Sequence, residues 1–371
     1  MYRAFCFFIL RFGIIDCFVF SWDQIHAKLM KPPAGWMEKQ IQEDLAPFYE
    51  KGVTLDQIEK TIRDVYAVPS GWMAGLVHYQ IRDNQIKMTS RSESAEDSRV
   101  AHLIEVLKDL ATGLPLPEID FLASLWDSYD NPLYLENTHC PVFTICKMKE
   151  NRKGVLYPEF RHFSYRLRIF KDINWTSQHV PWEQKNEKAY WRGMSSGWNY
   201  SLLGWDSRPR SRLVLFSKEY PDLADAAFTS PYSLEKTVKE WMEFYGLFQP
   251  WNYPTDHLKY KYLISIDGNT FASNLWWQLL SNSAVLKNDS EYLEWFYKGL
   301  EPYVHYIPFS FDVSDLGEKI KMLQADDSAT KNIAEQGRAF ALEHLSNEDL
   351  MIYFYRLLWA YSELFNKQED L

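Results

Sequence analysis

Hydrophobic and polar positions divide the chain into a mainly helical first part and a second part in which helices and strands alternate. Between Trp36 and Gly113, three stretches carry apolar residues at positions i, i+3, i+4 and i+7, which predicts amphipathic helices. The polar residues 82–98 interrupt this pattern and predict a loop or a short hairpin. Two short apolar runs follow at 121–126 and 140–146, and both are bounded by turn residues, as buried strands are.

The segment 180–187, VPWEQKNE, is a predicted domain boundary, because the strand-like run KAYWRG follows it directly. From there to about residue 330, apolar strand-like runs alternate with helical ones, which is typical of a parallel sheet covered by helices. The pattern predicts an α/β fold of two units in series, with C-terminal helices that pack back across both. We expect an apolar N-terminal segment at 1–35, a first unit at 36–181, a second unit at 182–330 and C-terminal helices at 331–371.

The stretch 261–287, KYLISIDGNTFASNLWWQLLSNSAVLK, passes from a strand through a glycine-bearing turn into a helix. Thr270 or Ser273 is the expected N-cap. The predicted helix carries Phe271, Leu275 and Leu279. Backbone N–H groups at such a turn suit a phosphate or diphosphate, and an ordinary capped turn is the alternative. Neither a GxGxxG nor a GxxxxGK[ST] motif is present, which argues against dinucleotide and P-loop sites.

A second candidate for anion binding lies in YWRGMSSG. Arg192 and Gly193 end a predicted strand, and Ser195, Ser196 and Gly197 follow them. Arginine recognises phosphate through two parallel hydrogen bonds, to which hydroxyl groups can add. The next segment, SRPRSRL, favours either a solvated charge cluster or an anion clamp. Its arginines are Arg208, Arg210 and Arg212.

Asp127 follows the predicted strand at 121–126, where a buried strand gives way to a loop. A carboxylate in this position suits a general base, although most aspartates in turns cap or solvate the backbone. Four aromatic side chains near the candidate residues either stack on a ligand or belong to the core. They are Trp126, Tyr129, Trp191 and Trp198.

Composition limits the function further. The chain has 371 residues, 46% of them hydrophobic and 16% aromatic, which indicates a globular protein of two domains. Its formal net charge of −10 argues against a nucleic-acid-binding surface, so that any phosphate site must be local. The four cysteines form no CxxC pair and lie at no metal-ligand spacing to a histidine, so neither a zinc site nor a disulfide framework is indicated and a reducing compartment fits best.

The apolar run at 4–20 contains Arg11 and Asp16. Each of these charges costs roughly 2.5–3.5 kcal/mol at the centre of a bilayer, and a membrane span needs about 20 apolar residues. The sequence leaves open a membrane-associated segment and a buried strand.

Five separated blocks together resemble the CAP10-like glycosyltransferases of glycosyltransferase family 90. The resemblance extends over about residues 115 to 365, and the blocks occur in the order of the family. They are AYWRGMSSG, the Arg-x-x-Leu of 210–213, DHLKYKYLISIDGNTFASN, NSAVLKNDSEYLEWFY and LEPYVHYIPF.

This resemblance implies a GT-B fold, in which two Rossmann-like domains face each other across a cleft. It also implies inverting transfer of a sugar from a UDP-sugar donor, without a metal or other cofactor. Asp127 matches the catalytic aspartate of the family, the general base that takes the proton of the acceptor hydroxyl. The donor-binding residues would be Arg192, Gly193, Ser195, Arg210, Gly268, Asn269, Thr270, Phe271, Ala272, Ser273 and Asn274.

Two positions depart from the family pattern. Met194 stands where the family often has serine, and Ser195 or Ser196 can replace that hydroxyl. Asn274 stands where many members carry an arginine that contacts the diphosphate, which removes a positive charge and bears on the affinity for the donor or its identity.

The resulting hypothesis is transfer of glucose or xylose to a saccharide acceptor, such as lipopolysaccharide or another cell-envelope glycan. A protein O-glycosyltransferase acting on serine is one alternative, and an inactive scaffold that binds a glycan or a nucleotide sugar is another. The expected partners are a UDP-sugar and a glycan or lipid-linked saccharide, without nucleic acid. The chain resembles the bacterial branch of the family, for which a cytoplasmic location is expected, either free or peripheral to the inner membrane.

Overall fold

The computed structural model describes residues 20–90, 98–160, 163–197, 200–201, 203–232 and 234–365. Several positions singled out above lie outside these residues: Cys6, Cys17, Trp198 and all but the last residue of the apolar run at 4–20. Cys140 and Cys146 are buried and carry free thiols. Of the helices within the described ranges, none is long and apolar enough to cross a membrane.

The helices cover both ends of the chain and connect the strands between them. In chain order they are α1 (Trp22–Leu29), α2 (Gly35–Leu45), α3 (Leu55–Ala67), α4 (Ser98–Gly113), α5 (Pro132–Glu136), α6 (Phe163–His179), α7 (Pro209–Glu219), α8 (Lys236–Phe244), α9 (Pro254–His257), α10 (Leu275–Leu280), α11 (Leu316–Ala325), α12 (Asp327–His344) and α13 (Asn347–Phe365).

The strands form two five-stranded sheets and one two-stranded ladder. They are β1 (Leu76–Arg82), β2 (Gln85–Ser90), β3 (Ile119–Ser124), β4 (Val142–Thr144), β5 (Lys147–Met148), β6 (Gly154–Leu156), β7 (Asn186–Gly193), β8 (Ala224–Phe228), β9 (Tyr260–Ser265), β10 (Ala284–Asn288), β11 (Tyr292–Leu293) and β12 (Ile307–Phe309).

The first sheet has the strand order β2-β1-β3-β4-β6. β3, β4 and β6 are parallel, whereas β1 pairs antiparallel with both β2 and β3. β3 is buried along its whole length, as its continuous apolar run predicts. The strands predicted at 121–126 and 140–146 are therefore confirmed as β3 and β4.

The three helices predicted between Trp36 and Gly113 are confirmed as α2, α3 and α4, but β1, which lies before the predicted loop or hairpin, was not expected. The hairpin that was one of two alternatives for 82–98 does form, with Asp83 and Asn84 at its turn. Their φ angles are 49° and 56°, as a tight turn between twisted strands requires. β1 escapes the helical pattern because its burial alternates from residue to residue over most of its length.

The second sheet has the strand order β12-β10-β9-β7-β8, and all of its strands are parallel. The alternation of strands and helices predicted after residue 187 is confirmed here. One strand, β8, was not predicted, since its sequence ADAAF consists mainly of alanine and carries no β-branched residue. The fold is thus α/β with parallel strands in both sheets.

The two units share one hydrophobic core. It contains Phe121 and Phe143 of the first sheet, Leu279 of α10, and Tyr353 and Tyr361 of the C-terminal helix α13. The hydroxyl of Tyr361 donates to the carbonyl oxygen of Asp120 at 2.9 Å, so α13 packs back onto the first unit, as predicted. A second cluster fills the opposite face of the second sheet.

Candidate functional site

The carboxyl ends of the second sheet all lie at one edge, because its strands are parallel. Open α/β sheets bind their ligands in the crevice outside this edge. The strand-end residues here are Gly193, Phe228, Ser265, Asn288 and Phe309. The glycine-bearing turn and the YWRGMSSG segment therefore meet at this edge.

The helix after the glycine-bearing turn begins later than predicted. It starts at Leu275, with Asn274 as its N-cap residue, so the prediction of Thr270 or Ser273 as the N-cap is wrong. Asn274 does not cap the helix with its side chain. Its Oδ1 accepts a hydrogen bond from Ser265 Oγ at 3.2 Å, which fastens the end of the loop to the end of β9.

A buried aspartate organises the loop in place of the predicted cap. Asp267 Oδ1 accepts from the N–H of Ala272 at 3.1 Å, and Oδ2 accepts from the hydroxyl of Ser290. The N–H of Asp267 donates to Asn288 Oδ1 at 3.0 Å. Burial raises the pKa of Asp267, and the nearby charge of Lys287 opposes this shift. The carboxylate thus folds residues 267–272 into a compact turn over β10.

Arg210, at the start of α7, holds this turn through its planar guanidinium group. Burial lowers the pKa of Arg210, yet a guanidinium remains a cation in proteins. Its three nitrogens donate to Met194 O at 3.0 Å, Ser196 Oγ at 2.6 Å, Ile266 O at 3.1 Å and Asp267 O at 3.0 Å. Arg210 therefore joins the segment after β7 to the loop after β9.

Two further contacts bring the same segments together. A Cβ on Gly268 would lie 2.4 Å from Oγ of Ser196 and 2.8 Å from Nη2 of Arg210, so any other residue would have to displace these two side chains. Asn269 Oδ1 accepts a hydrogen bond from the N–H of Gly197 at 2.8 Å. Gly197 has a φ of 136°, which L side chains rarely adopt.

Together these groups line a pocket of about 500 Å³, here called the strand-end pocket. Met148 of the first unit closes one side of it, and the remaining wall comes from the second unit. The other lining residues are Gly197, Ser207, Arg208, Pro209, Asp267, Gly268, Asn269, Asp289, Glu291, Tyr292 and Phe311.

The side chain of Arg192 points to the face of β7 opposite to Trp191 and Gly193, because successive side chains of a strand point to opposite sides. Its Nη2 pairs with Asp225 Oδ1 at 2.8 Å, and its guanidinium lies over the ring of Tyr190. Gly193 lies on the face of Trp191, where a Cβ would come within 2.5 Å of the indole ring.

The predicted donor-binding residues thus divide into two groups. Gly268 and Asn269 line the strand-end pocket, and Arg210 holds their loop without lining the pocket itself. Arg192, together with Phe271, Ser273 and Asn274, lines a second cavity of about 360 Å³, here called the tryptophan pocket. Its lining also includes Arg166, Trp251, His257, Trp276, Trp277 and Glu294.

Three other predicted residues have local roles. The N–H of Tyr232 donates to the Oγ of Ser195 at 2.8 Å, which places Ser195 in the support of the segment after β7. Thr270 accepts from the N–H of Gly268 through its carbonyl oxygen at 3.1 Å. Ala272 contributes its N–H to Asp267.

The arginine cluster and the aromatic residues separate in a similar way. Arg208 lines the strand-end pocket, whereas Arg212 lies at the surface and donates to the carbonyl oxygen of Asp312 at 3.1 Å. Tyr129 and Trp191 are buried in the core. Trp126 is 44% exposed and remains a candidate for sugar stacking.

Asp127 lies in the bend after β3, is half-buried, and is not among the residues that line either pocket. Three residues further on, Asp130 Oδ1 accepts from the N–H of Met148 at 3.0 Å. Met148 lines the strand-end pocket and pairs with Tyr292 across the ladder of β5 and β11, which joins the two units. The segment that carries Asp127 is therefore tied to the wall of the strand-end pocket.

The sequence did not single out several residues that hold the site. Asp225 pairs with Arg192, and Lys287 and Ser290 face Asp267. A usable signal existed only for the pair of Arg192 and Asp225. Both lie on strands, and a polar residue in a buried strand requires a partner on the neighbouring strand.

The sequence of this chain matches the family model described as "Glycosyl transferase family 90" over residues 35–370. The chain therefore belongs to glycosyl transferase family 90, a family of enzymes, as the resemblance of its five blocks implied.

Among curated relatives, the zebrafish protein O-glucosyltransferase 2 is 31% identical over 349 residues, which cover 91% of this chain and 64% of the relative. The human protein O-glucosyltransferase 3 is 29% identical over 336 residues, covering 88% of this chain and 61% of the relative. The rat protein O-glucosyltransferase 1 is 28% identical, covering 87% and 79%. The chain thus spans less than two thirds of the length of the first two relatives.

Among solved structures, the crystal structure of Anabaena HepE in complex with UDP-glucose matches 74% of this chain and 77% of its own. The TM-score is 0.39 and the sequence identity is 11%. A likeness at this level adds nothing to the family assignment.

Proposed function

We propose that this protein is an inverting glycosyltransferase that moves a sugar, glucose or xylose, from a UDP-sugar to a saccharide acceptor. The observation that carries the proposal is the strand-end pocket, built from a glycine-bearing loop that Arg210 holds at the carboxyl edge of a parallel sheet. Membership of family 90 supports the reaction class.

The strand-end pocket suits a nucleoside diphosphate for two reasons. Gly268 and Asn269 present a glycine-bearing loop to the pocket, and Arg208 in its lining and Arg210 beneath the loop supply positive charge in a chain whose net charge is −10. Asp289 and Glu291 also line the pocket, where carboxylates can accept hydrogen bonds from the hydroxyl groups of a ribose or a sugar. Preorganised N–H groups and cations of this kind stabilise the charge that develops on the leaving UDP. The proposed reaction uses no metal cofactor.

Asp127 is the proposed general base. It would accept the proton of the acceptor hydroxyl as that oxygen attacks the anomeric carbon from the face opposite UDP. The hydrogen bond between Asp130 and Met148, which ties its segment to the pocket wall, supports this role. A GT-B arrangement, with the two units facing each other across a cleft, belongs to the same proposal.

A protein serine is the second candidate acceptor. The specific observation in its favour is that the curated relatives are named protein O-glucosyltransferases. The two acceptors imply different locations for the enzyme. A saccharide such as lipopolysaccharide implies the cytoplasm or the inner membrane surface, and a protein acceptor implies the secretory pathway.

The test is release of UDP from a panel of UDP-sugars by the purified full chain, with and without EDTA, beside Asp127→Asn. We expect turnover of one donor that resists EDTA and is lost in the variant. Stimulation by saccharides or by a folded protein substrate distinguishes the two acceptors. UDP binding without turnover under any of these conditions favours the inactive scaffold.

A further inference from the structure

The tryptophan pocket is separate from the strand-end pocket, although one loop lines both. Gly268 and Asn269 face the strand-end pocket, and Phe271, Ser273 and Asn274 line the tryptophan pocket. Residues from α6, from the segment 251–257 and from α10 complete its wall. A ligand in this cavity would therefore lie a few residues along the same loop from a donor in the strand-end pocket.

Aromatic rings form much of the wall. The guanidinium of Arg166 stacks on the ring of Trp276, with its Cζ 3.7 Å from the ring centroid. The ring of His257 meets the ring of Trp277 edge to face, with centroids 5.2 Å apart. Trp251 contributes to the same wall and is 62% exposed. An indole that is both exposed and part of a cavity offers a flat apolar surface to a ligand.

Three nitrogen atoms of the lining residues are buried and unpaired. Nε of Arg166, Nε of Arg192 and Nδ1 of His257 have no hydrogen-bond partner within the parts of the chain that the structure describes. Buried polar groups normally have partners, because leaving one unpaired costs about 1–3 kcal/mol. Three such atoms belong to residues that line one cavity, so the polar side chains around it are incompletely paired among the described residues.

The charges of the wall show which kind of polar molecule fits. Arg166 and Arg192 can donate hydrogen bonds, whereas the buried Glu294 and nearby Glu159 present carboxyl groups. The wall therefore offers hydrogen-bond donors and acceptors together. A hydroxyl group both donates and accepts, so a ring that carries several hydroxyl groups suits mixed partners of this kind.

We propose that the tryptophan pocket binds a neutral saccharide ring, with Trp251 and Trp276 against its apolar faces and with Arg166, Arg192 and His257 near its hydroxyl groups. Its use as an acceptor subsite rests on the proposed glycosyltransferase function. Binding of a saccharide in this pocket does not depend on that function.

Burial supports this assignment through two pKa values. It lowers the pKa of His257 to about 4, so the imidazole is neutral at neutral pH. It raises the pKa of Glu294 to about 8, so its carboxyl group is largely protonated and can donate as well as accept. Both shifts reduce the charge that a neutral ligand would meet.

The test is titration of the full chain, saturated with UDP, with methyl β-glucoside, methyl β-xyloside, N-acetylglucosamine and cellobiose. Binding is followed by saturation-transfer NMR. The variant is Trp251→Ala. Its matched control is Trp175→Ala, because Trp175 is 63% exposed and lies outside the pocket. Both indoles are exposed, so neither change should unfold the chain.

We expect at least one of the four saccharides to bind saturably, and Trp251→Ala to weaken this binding roughly tenfold, as loss of a stacking surface does. Trp175→Ala should leave it unchanged, and neither variant should change the affinity for UDP. Binding of none of the four saccharides, or equal binding to Trp251→Ala and the wild type, would overturn the proposal. Inorganic pyrophosphate that bound with the same dependence on Trp251 would overturn the choice of a neutral ligand.

The same titration separates this inference from the proposed function. Saccharide binding that depends on Trp251, in a chain that fails to bind UDP, would uphold the pocket and refute the donor site. UDP binding without saccharide binding would have the opposite meaning.

Discussion

Arg210 and Gly268 are packed so closely that a Cβ on residue 268 would lie 2.8 Å from Nη2 of the arginine. The same guanidinium donates to the carbonyl oxygens of Met194, Ile266 and Asp267. The loop that forms the floor of the strand-end pocket therefore depends on the side chain of Arg210 and on the lack of a side chain at residue 268.

Gly268→Ala should displace the loop from Arg210. Overpacking of this kind typically costs about 1–3 kcal/mol of unfolding free energy, and displacement of the backbone should weaken UDP binding by at least about tenfold. Calorimetric titration with UDP measures the affinity. The control is Gly35→Ala, because no atom lies within 4 Å of the added Cβ. Unchanged UDP affinity in Gly268→Ala would show that the loop does not contact the donor.

Arg210→Lys keeps the positive charge but removes the planar fork of donors. Since one ammonium group cannot reach four acceptors at their present positions, we expect loss of UDP affinity together with a lower free energy of unfolding. Arg212→Lys is the matched control, because Arg212 lies two residues further along α7 and is 42% exposed beside Asp312. Equal affinities of the two variants would mean that Arg210 supplies charge alone.

Asp127→Asn should slow transfer by about 10²–10⁴-fold, the usual contribution of a general base. UDP affinity should stay at the wild-type value, since Asp127 does not line the strand-end pocket. The rate of UDP release in the presence of an acceptor measures the effect, with Asp222→Asn at an exposed turn as the control. A variant with full activity would exclude Asp127 as the base.

Glu294 should make stability depend on pH. Burial raises its pKa from the ordinary 4.5 to about 8, and the charges of Arg166 and Lys287 oppose the shift while Glu159 adds to it. Between these two pH values the folded chain retains a proton that the unfolded chain has released. The stability due to this group is therefore fully present below about pH 4.5 and falls as the pH rises towards about 8.

Glu294→Gln removes this titration with little change of shape. Its free energy of unfolding should decline less than that of the wild type between about pH 5 and about pH 8, by an amount on the order of a few kcal/mol. Denaturant unfolding at the two pH values measures the difference. Parallel declines in the two proteins would show that Glu294 is ionised in the fold.

Much of the fold could be predicted because its signals are local. The strands β3, β7 and β9 each contain a short apolar run, and a glycine-bearing turn follows β9. β8 gave no such signal because its alanines form no strand-like hydrophobic pattern and have a low propensity for strands. The N-cap was misplaced because the hydrogen bond from the N–H of Ala272 to the side chain of Asp267 in the same loop, rather than a cap at Thr270 or Ser273, shapes the loop.

The candidate site was only partly predictable for a similar reason. The family resemblance grouped Arg192 with Arg210 as donor-binding residues, but the alternation of side chains along β7 turns Arg192 to a different face of the sheet. The tryptophan pocket combines residues near 166, 192, 251, 276 and 294, whose meeting depends on how the helices pack on the sheet. No local pattern encodes that arrangement.

The most direct test of UDP binding at the strand-end pocket is amide hydrogen exchange of the full chain with and without UDP. We expect slower exchange in UDP at 194–197 and 266–269, the two segments that Arg210 joins. We expect no change at 251–257. Protection centred on 251–257 and 273–277 would place the donor in the tryptophan pocket, and no protection anywhere would contradict a UDP-sugar site in this protein.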